Sequence, residues 1–279
     1  MQIIDAQIHI WLPESSDRPW PKDRVKPHLP NGLSAEQMLA MMEEAGVSRA
    51  IIVPPSWEGE RLDYALDSVR RYPDRFRVMA RAPLMDPALK GKLREWRDQP
   101  GLLGARITFN TTEAGEWLTS GASDWFWAEA EEIDMPLMVL PTWYVDRIDA
   151  IAARHPRLRM IIDHIGVYRL SVGDPGFNEA LDKTIGLARH PNVHVKVSGL
   201  PHFSKEAWPF ADVAPHVRRL IDAFGPRRAF WGTDISKMIG TVTYRQCVEQ
   251  VLNFDFLSES DKEWVLGRGL ANFLGWPLD

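Results

Sequence analysis

A chain of 279 residues, 45% hydrophobic and 25% charged, has an ordinary globular composition and the length to bury a sizeable core. Its 33 Lys and Arg against 38 Asp and Glu leave a formal charge of −5, which argues against non-specific nucleic-acid binding. The single cysteine, Cys247, excludes an internal disulfide and fits a reduced, cytoplasmic setting.

In chain order, short apolar runs alternate with amphipathic segments. Strands are predicted at Gln2–His9, Ala50–Pro54, Arg77–Ala82, Gly104–Phe109, Leu137–Leu140, Met160–Asp163, Val193–Val197 and Ala229–Gly232. Their mostly apolar character suits parallel strands buried on both faces. No basic segment followed by an apolar stretch opens the chain, so no signal peptide is expected. No run approaches the roughly 20 residues of a membrane span.

Between the strands lie helix patterns. Ser34-Ala-Glu-Gln37 reads as a capping box opening a helix over Met38–Ala45, stopped by Gly46. Arg61–Arg71 ends at Pro73 and Val145–His155 at Pro156. Phe177–Ala188, Ala207–Phe224, Thr241–Asn253 and about Glu259–Gly267 follow, the last leading into a short helical tail.

This alternation predicts an α/β fold, a (β/α)8 TIM barrel forming a single domain over residues 1–279. A doubly wound open sheet is the alternative, but no G-x-G-x-x-G turn follows the first strand. The Pro- and Trp-rich stretch Trp11–Asn31 reads as a long structured loop after strand one, placed either to act as a lid or simply to pack.

In a barrel the C-terminal strand ends face one pocket. Those ends carry Asp5, Gln7 and His9; Arg106; Asp163 and His164; Lys196 and Ser198; and Asp234. So many polar groups from separate strands form the convergent set expected of an active site. Asp234, just past an apolar strand, could activate water, bind a metal or cap a turn. His164 and His9 could polarise a carbonyl or relay a proton, or sit satisfied in the core. Asp163 could orient a neighbour. Arg106 and Lys196 suit an anionic substrate, a developing oxyanion or a structural ion pair. Gln7 could donate a hydrogen bond to substrate. Among the 12 tryptophans, Trp11 and Trp143 lie where an aromatic pocket lining would, although packing explains them equally. His202, soon after strand seven, is a further candidate.

Several segments resemble the amidohydrolase superfamily, specifically the amidohydrolase-related type that includes 2-pyrone-4,6-dicarboxylate lactonase and fuconolactonase. They are Ile4-Asp-Ala-Gln-Ile-His-Ile-Trp11, Tyr72-Pro-Asp-Arg-Phe76, Ile161-Ile-Asp-His-Ile-Gly166, Asn192-Val-His-Val-Lys-Val-Ser-Gly199, Trp231-Gly-Thr-Asp234 and Gly267-Arg-Gly-Leu-Ala271. They span nearly the whole chain in order. The resemblance implies a barrel, a hydrolase mechanism and an essential aspartate, Asp234. It maps the strand-six histidine to His164 and the second histidine of an H-x-H metal pair to His9. Gln7 stands where the first histidine would be, and strand five, in Met135-Pro-Leu-Met-Val-Leu-Pro-Thr-Trp143, carries none.

The resulting expectation is a lactonase that hydrolyses a cyclic ester of a small, carboxylated substrate without a cofactor. Asp234, His164 and His9 would be catalytic, and Gln7, Arg106, Lys196, Ser198, Trp11 and Trp143 would bind substrate. The alternative on cofactors is a single divalent metal such as zinc, held by His9, His164 and Asp234. The alternative on function is a metal-dependent decarboxylase of an aromatic or unsaturated acid, or a homologue whose site only binds ligand. The expected partner is a small molecule, neither nucleic acid nor membrane; a homo-oligomer is compatible.

Overall fold

The computed structural model describes residues 1–276 and 278. Eight parallel strands follow one another around a barrel in sequence order: β1 (Ile4–Ile8), β2 (Arg49–Ile52), β3 (Phe76–Arg81), β4 (Leu102–Thr108), β5 (Leu137–Leu140), β6 (Met160–Ile162), β7 (Val193–Ser198) and β8 (Ala229–Gly232). The Asp234 amide donates to the Gln7 carbonyl at 3.0 Å, linking the end of β8 back to β1 and nearly closing the ring. This is the (β/α)8 TIM barrel.

Strand alternation sorts the apolar residues into two cores. Ile4, Ile51, Met79, Met138, Ile161 and Phe230 point inward and meet the C-terminal helix Gly269–Leu274, whose Phe273 and Leu274, with Trp276 beyond it, seal the bottom of the barrel. Ile52, Val78, Val139, Ile162 and Val195 point outward and bury the helices, joined by Ile8, which a register shift between Asp5 and Ile8 turns to that side. Arg49 and Arg77 lie over the Trp276 ring, 5.0 and 4.6 Å from its centroid, so even the charged residues at the base serve the seal. The open, C-terminal end of the strands is therefore the mouth.

Local signals acted as their chemistry predicts. Ser34 and Gln37 form a reciprocal capping box for helix Ala35–Ala45, and Gly46 ends it at φ 75°. A Ser or Thr cap of this kind stabilises by about 1 kcal/mol. Thr243 and Gln246 do the same for Tyr244–Leu252.

Other segments differ from expectation. The helix foreseen over Ala207–Phe224 runs only from Ala214 to Phe224, because Phe210 takes φ 62°, outside the helical region; Pro215 then sits in the first turn, where its missing N–H costs nothing. Helices at Leu93–Arg97, Thr112–Thr119, Asp124–Glu132 and Leu200–Phe203 are additional. The tail contains one π turn, Trp264–Arg268, between Glu259–Glu263 and the sealing helix. Among the described residues no helix is long and apolar enough to cross a membrane.

The stretch between Trp11 and Leu33 is a loop pinned at both ends by an antiparallel bridge between those two residues. Trp11 is fully buried, donates from Nε1 to the Leu29 carbonyl at 3.2 Å and packs edge-on against Trp57. Arg18 reaches back to Glu58 at 2.9 Å and to Asp63 at 2.6 Å.

Candidate active site

The polar residues foreseen at the strand ends converge, and they divide into two linked groups. The deeper group is centred on Asp163. Its carboxylate is fully buried and pairs with Lys196 Nζ at 2.7 Å and with Arg106 Nε at 2.9 Å. Burial alone would raise this acid; Lys196 first, then Arg106, hold it at about 2 instead. Arg106 and Lys196 are thus both engaged by one carboxylate.

Lys196 also donates to Gln7 Oε1 at 2.6 Å. An ammonium only donates, so the glutamine must turn its oxygen to Lys196 and its NH2 to the other side. There Gln7 Nε2 donates to His164 Nε2 at 3.1 Å and approaches Asp234 Oδ1 at 3.5 Å. His164 must then accept at Nε2 and carry its proton on Nδ1, which donates to Ser198 Oγ at 2.9 Å. Burial lowers His164 to about 3, so the ring is neutral and this tautomer is the one present.

The upper group is centred on Asp234. Oδ1 lies 2.9 Å from His9 Nε2, and Oδ2 lies 2.8 Å from Lys237 Nζ. His9 Nδ1 donates to the Val53 carbonyl at 2.6 Å, which fixes the ring. Burial would raise Asp234, but Lys237 and the His9 hydrogen bond outweigh it and hold the carboxyl well below its ordinary range. Lys237 is about half exposed while Asp234 is buried, so the carboxylate is covered from the solvent side by a side chain that can leave cheaply.

Backbone strain gathers here. His164, Ile165 and Asp234 have φ of 50°, 51° and 54°, in the left-handed region that non-glycine residues seldom occupy. Each costs on the order of 1–3 kcal/mol and persists only where its surroundings over-determine it. Asp5 supplies part of that frame from behind: it accepts from the backbone N–H groups of Gln7 and Thr233, at 2.8 and 2.9 Å, and from the Tyr244 hydroxyl at 2.5 Å. Gly199, at φ 67°, sits between His164, His202 and Asp234, so His202 borders the site as well. Trp143 is 71% exposed and meets the Tyr168 ring edge-on at 5.9 Å.

Lys237 was not among the residues foreseen. It follows Asp234 by three positions on a short 3-10 turn, Ile235–Lys237, and that spacing returns its ammonium to the carboxylate. The buried Glu58 and its partner Arg18 were also missed.

The amidohydrolase family model matches residues 4–269. The chain belongs to the amidohydrolase family. Over 247 residues it is 28% identical to the L-fucono-1,5-lactonase of Burkholderia ambifaria, covering 85% of this chain and 82% of that one. Over 234 residues it is 26% identical to the 4-sulfomuconolactone hydrolase of Hydrogenophaga intermedia, covering 82% of this chain and 73% of that one. Among solved structures, an amidohydrolase from Burkholderia multivorans with bound zinc superposes with a TM-score of 0.82 at 21% identity, over 99% of this chain and all of that one; at that identity the likeness speaks for the fold.

The donor set of this amidohydrolase fits a metal ion poorly. Among the described residues no three His, Cys, Asp or Glu side chains are arranged to hold one. The space between His164 and Asp234 is bridged by the Gln7 amide nitrogen, an N–H donor with no lone pair to give, and the outer oxygen of Asp234 faces an ammonium.

Proposed function

We propose that this chain hydrolyses a lactone without a metal ion. The observation that carries the reading is that the Gln7 amide N–H and the Lys237 ammonium flank the Asp234 carboxylate, in the place where a metal-using relative would need ligands. Similarity to a fuconolactonase and to a sulfomuconolactone hydrolase supports the cyclic ester as substrate.

In the reaction, Asp234 takes a proton from a water held at the mouth. The water oxygen bonds to the lactone carbonyl carbon, and the carbonyl electron pair moves to its oxygen. Lys237, the partly exposed cation beside Asp234, faces that developing oxyanion. As it leaves the carboxylate to do so, Asp234 becomes a stronger base at the moment one is needed. The ring C–O bond then breaks, and the alkoxide takes the proton back from Asp234, giving a hydroxy acid. His9 orients Asp234. His164, neutral and hydrogen-bonded on both nitrogens, orients Gln7.

The test is a pH-indicator screen of five- and six-membered lactones, run with untreated protein and with protein dialysed against a chelator, beside metal analysis. Acid release that survives chelation, with substoichiometric metal, is expected. Turnover lost on chelation and restored by zinc would overturn the metal-free mechanism, and no turnover of any lactone would overturn the substrate class.

A further inference from the structure

The mouth of the barrel holds a cation, Arg81, that none of its carboxylates pairs with. Arg81 ends β3, two positions beyond the inward-pointing Met79 and four beyond Arg77, whose guanidinium lies on the inner Trp276. Alternation therefore turns Arg81 into the barrel. It pairs in register with Arg106 on β4, so the two guanidinium groups start from the same level of the same face. Arg106 is spent on Asp163, as is Lys196, and Asp234 is taken by His9 and Lys237. Among the described residues, no hydrogen bond or ion pair joins Arg81 to an acid. Glu60, the carboxylate that acts on it, is exposed and is outweighed by burial and by the charges of Arg106 and Arg24, which together lower Arg81 to about 10. It is still a cation at neutral pH. Arg24 belongs to the long loop after β1, so the loop adds positive charge over the same spot.

We propose that Arg81 is a specificity-determining residue that binds a carboxylate carried by the substrate away from the reacting carbonyl, so that the lactones used are anionic. A largely enclosed, unpaired guanidinium is costly, and a planar carboxylate offsets that cost through two parallel N–H donors. Arg106 and Lys196, which the sequence suggests for this task, keep their partner and hold Gln7 and Asp163 in place. The inference rests on the lactonase reading for its reaction but on Arg81 alone for its anion.

Two measurements separate them. In the first, kcat/KM is compared for a butyrolactone with a carboxymethyl arm and its neutral methyl analogue. Wild type is expected to prefer the acid, and Arg81→Met to lower the acid-to-neutral ratio at least 100-fold, mainly through KM, with Arg81→Lys in between. An unchanged ratio overturns the proposal. In the second, adipate, a dicarboxylate with no ring to open, is titrated by calorimetry into wild type and into folded Arg81→Met and Arg81→Lys, checked by circular dichroism. At least tenfold weaker binding in Arg81→Met supports the anion site even if no lactone turns over, in which case only the reaction is wrong. No binding to wild type, or equal binding to the variants, overturns the site even if lactones are hydrolysed.

Discussion

Lys196 Nζ lies 2.6 Å from Gln7 Oε1, and this contact sets the direction of every hydrogen bond that follows, from Gln7 to His164 and from His164 to Ser198. It ties the lower ion-pair group to the upper one. Replacing Lys196 with Met leaves Asp163 with Arg106 alone and frees Gln7 to flip. Breaking a buried pair on one side costs about 3–5 kcal/mol. Urea unfolding should show a loss of that size in Lys196→Met, and a loss under about 1 kcal/mol would mean that the Asp163 group is hydrated and weakly coupled.

Asp234→Asn keeps the shape of the side chain and removes its ability to take a proton. General base catalysis contributes roughly 10²–10⁴-fold, so kcat on the best lactone should fall by at least about 100-fold. The thermal midpoint should stay near that of wild type, because the amide oxygen can still accept from Lys237 and the amide NH2 can donate to His9 Nε2. Activity near wild type in Asp234→Asn would remove the proposed base.

Glu58 gives a pH dependence of known sign. Burial, only partly offset by Arg18, pushes its carboxyl up from 4.5 to about 7. A folded value above the unfolded one means that its contribution to stability is complete below about pH 4.5 and is lost as pH rises through about 7. The full span corresponds to about 3 kcal/mol. In Glu58→Gln this decline is removed. The difference in Tm between wild type and Glu58→Gln should therefore shift in favour of the variant between pH 5 and pH 8; parallel pH curves would show that Glu58 does not titrate with folding. Protonation of Glu58 weakens its hold on Arg18, and so on the loop between Trp11 and Leu33.

The barrel was legible because parallel strands covered on both faces must be apolar throughout. All eight strands lie within two residues of where the apolar runs predict them. The helices were less so. Asp124–Glu132 hides behind a Trp-rich run with little periodicity, and the segment around Pro209 shows how a proline within an amphipathic pattern resets the start of a helix. At the site, the strand-end residues His9, Asp163, His164 and Asp234 were readable from position alone. Their pairing was not. Nothing in the order of residues says that Asp163 would take both Arg106 and Lys196, because that choice depends on the stagger of β4, β6 and β7. Lys237 was readable in principle, three residues after Asp234. Arg81 was readable from its even spacing with Met79, once Met79 is known to face inward.

The helix that seals the base also governs traffic. Among the described residues, Phe273, Leu274 and Trp276 pack against the inner ends of the strands and close the base of the barrel. Substrate and ring-opened acid then share the opening at the C-terminal strand ends and pass the same arginines. The product carries one more negative charge than the lactone it came from. On the Arg81 proposal, the charge that draws an anionic lactone in would also hold its more negative product, so release rather than ring opening would limit turnover.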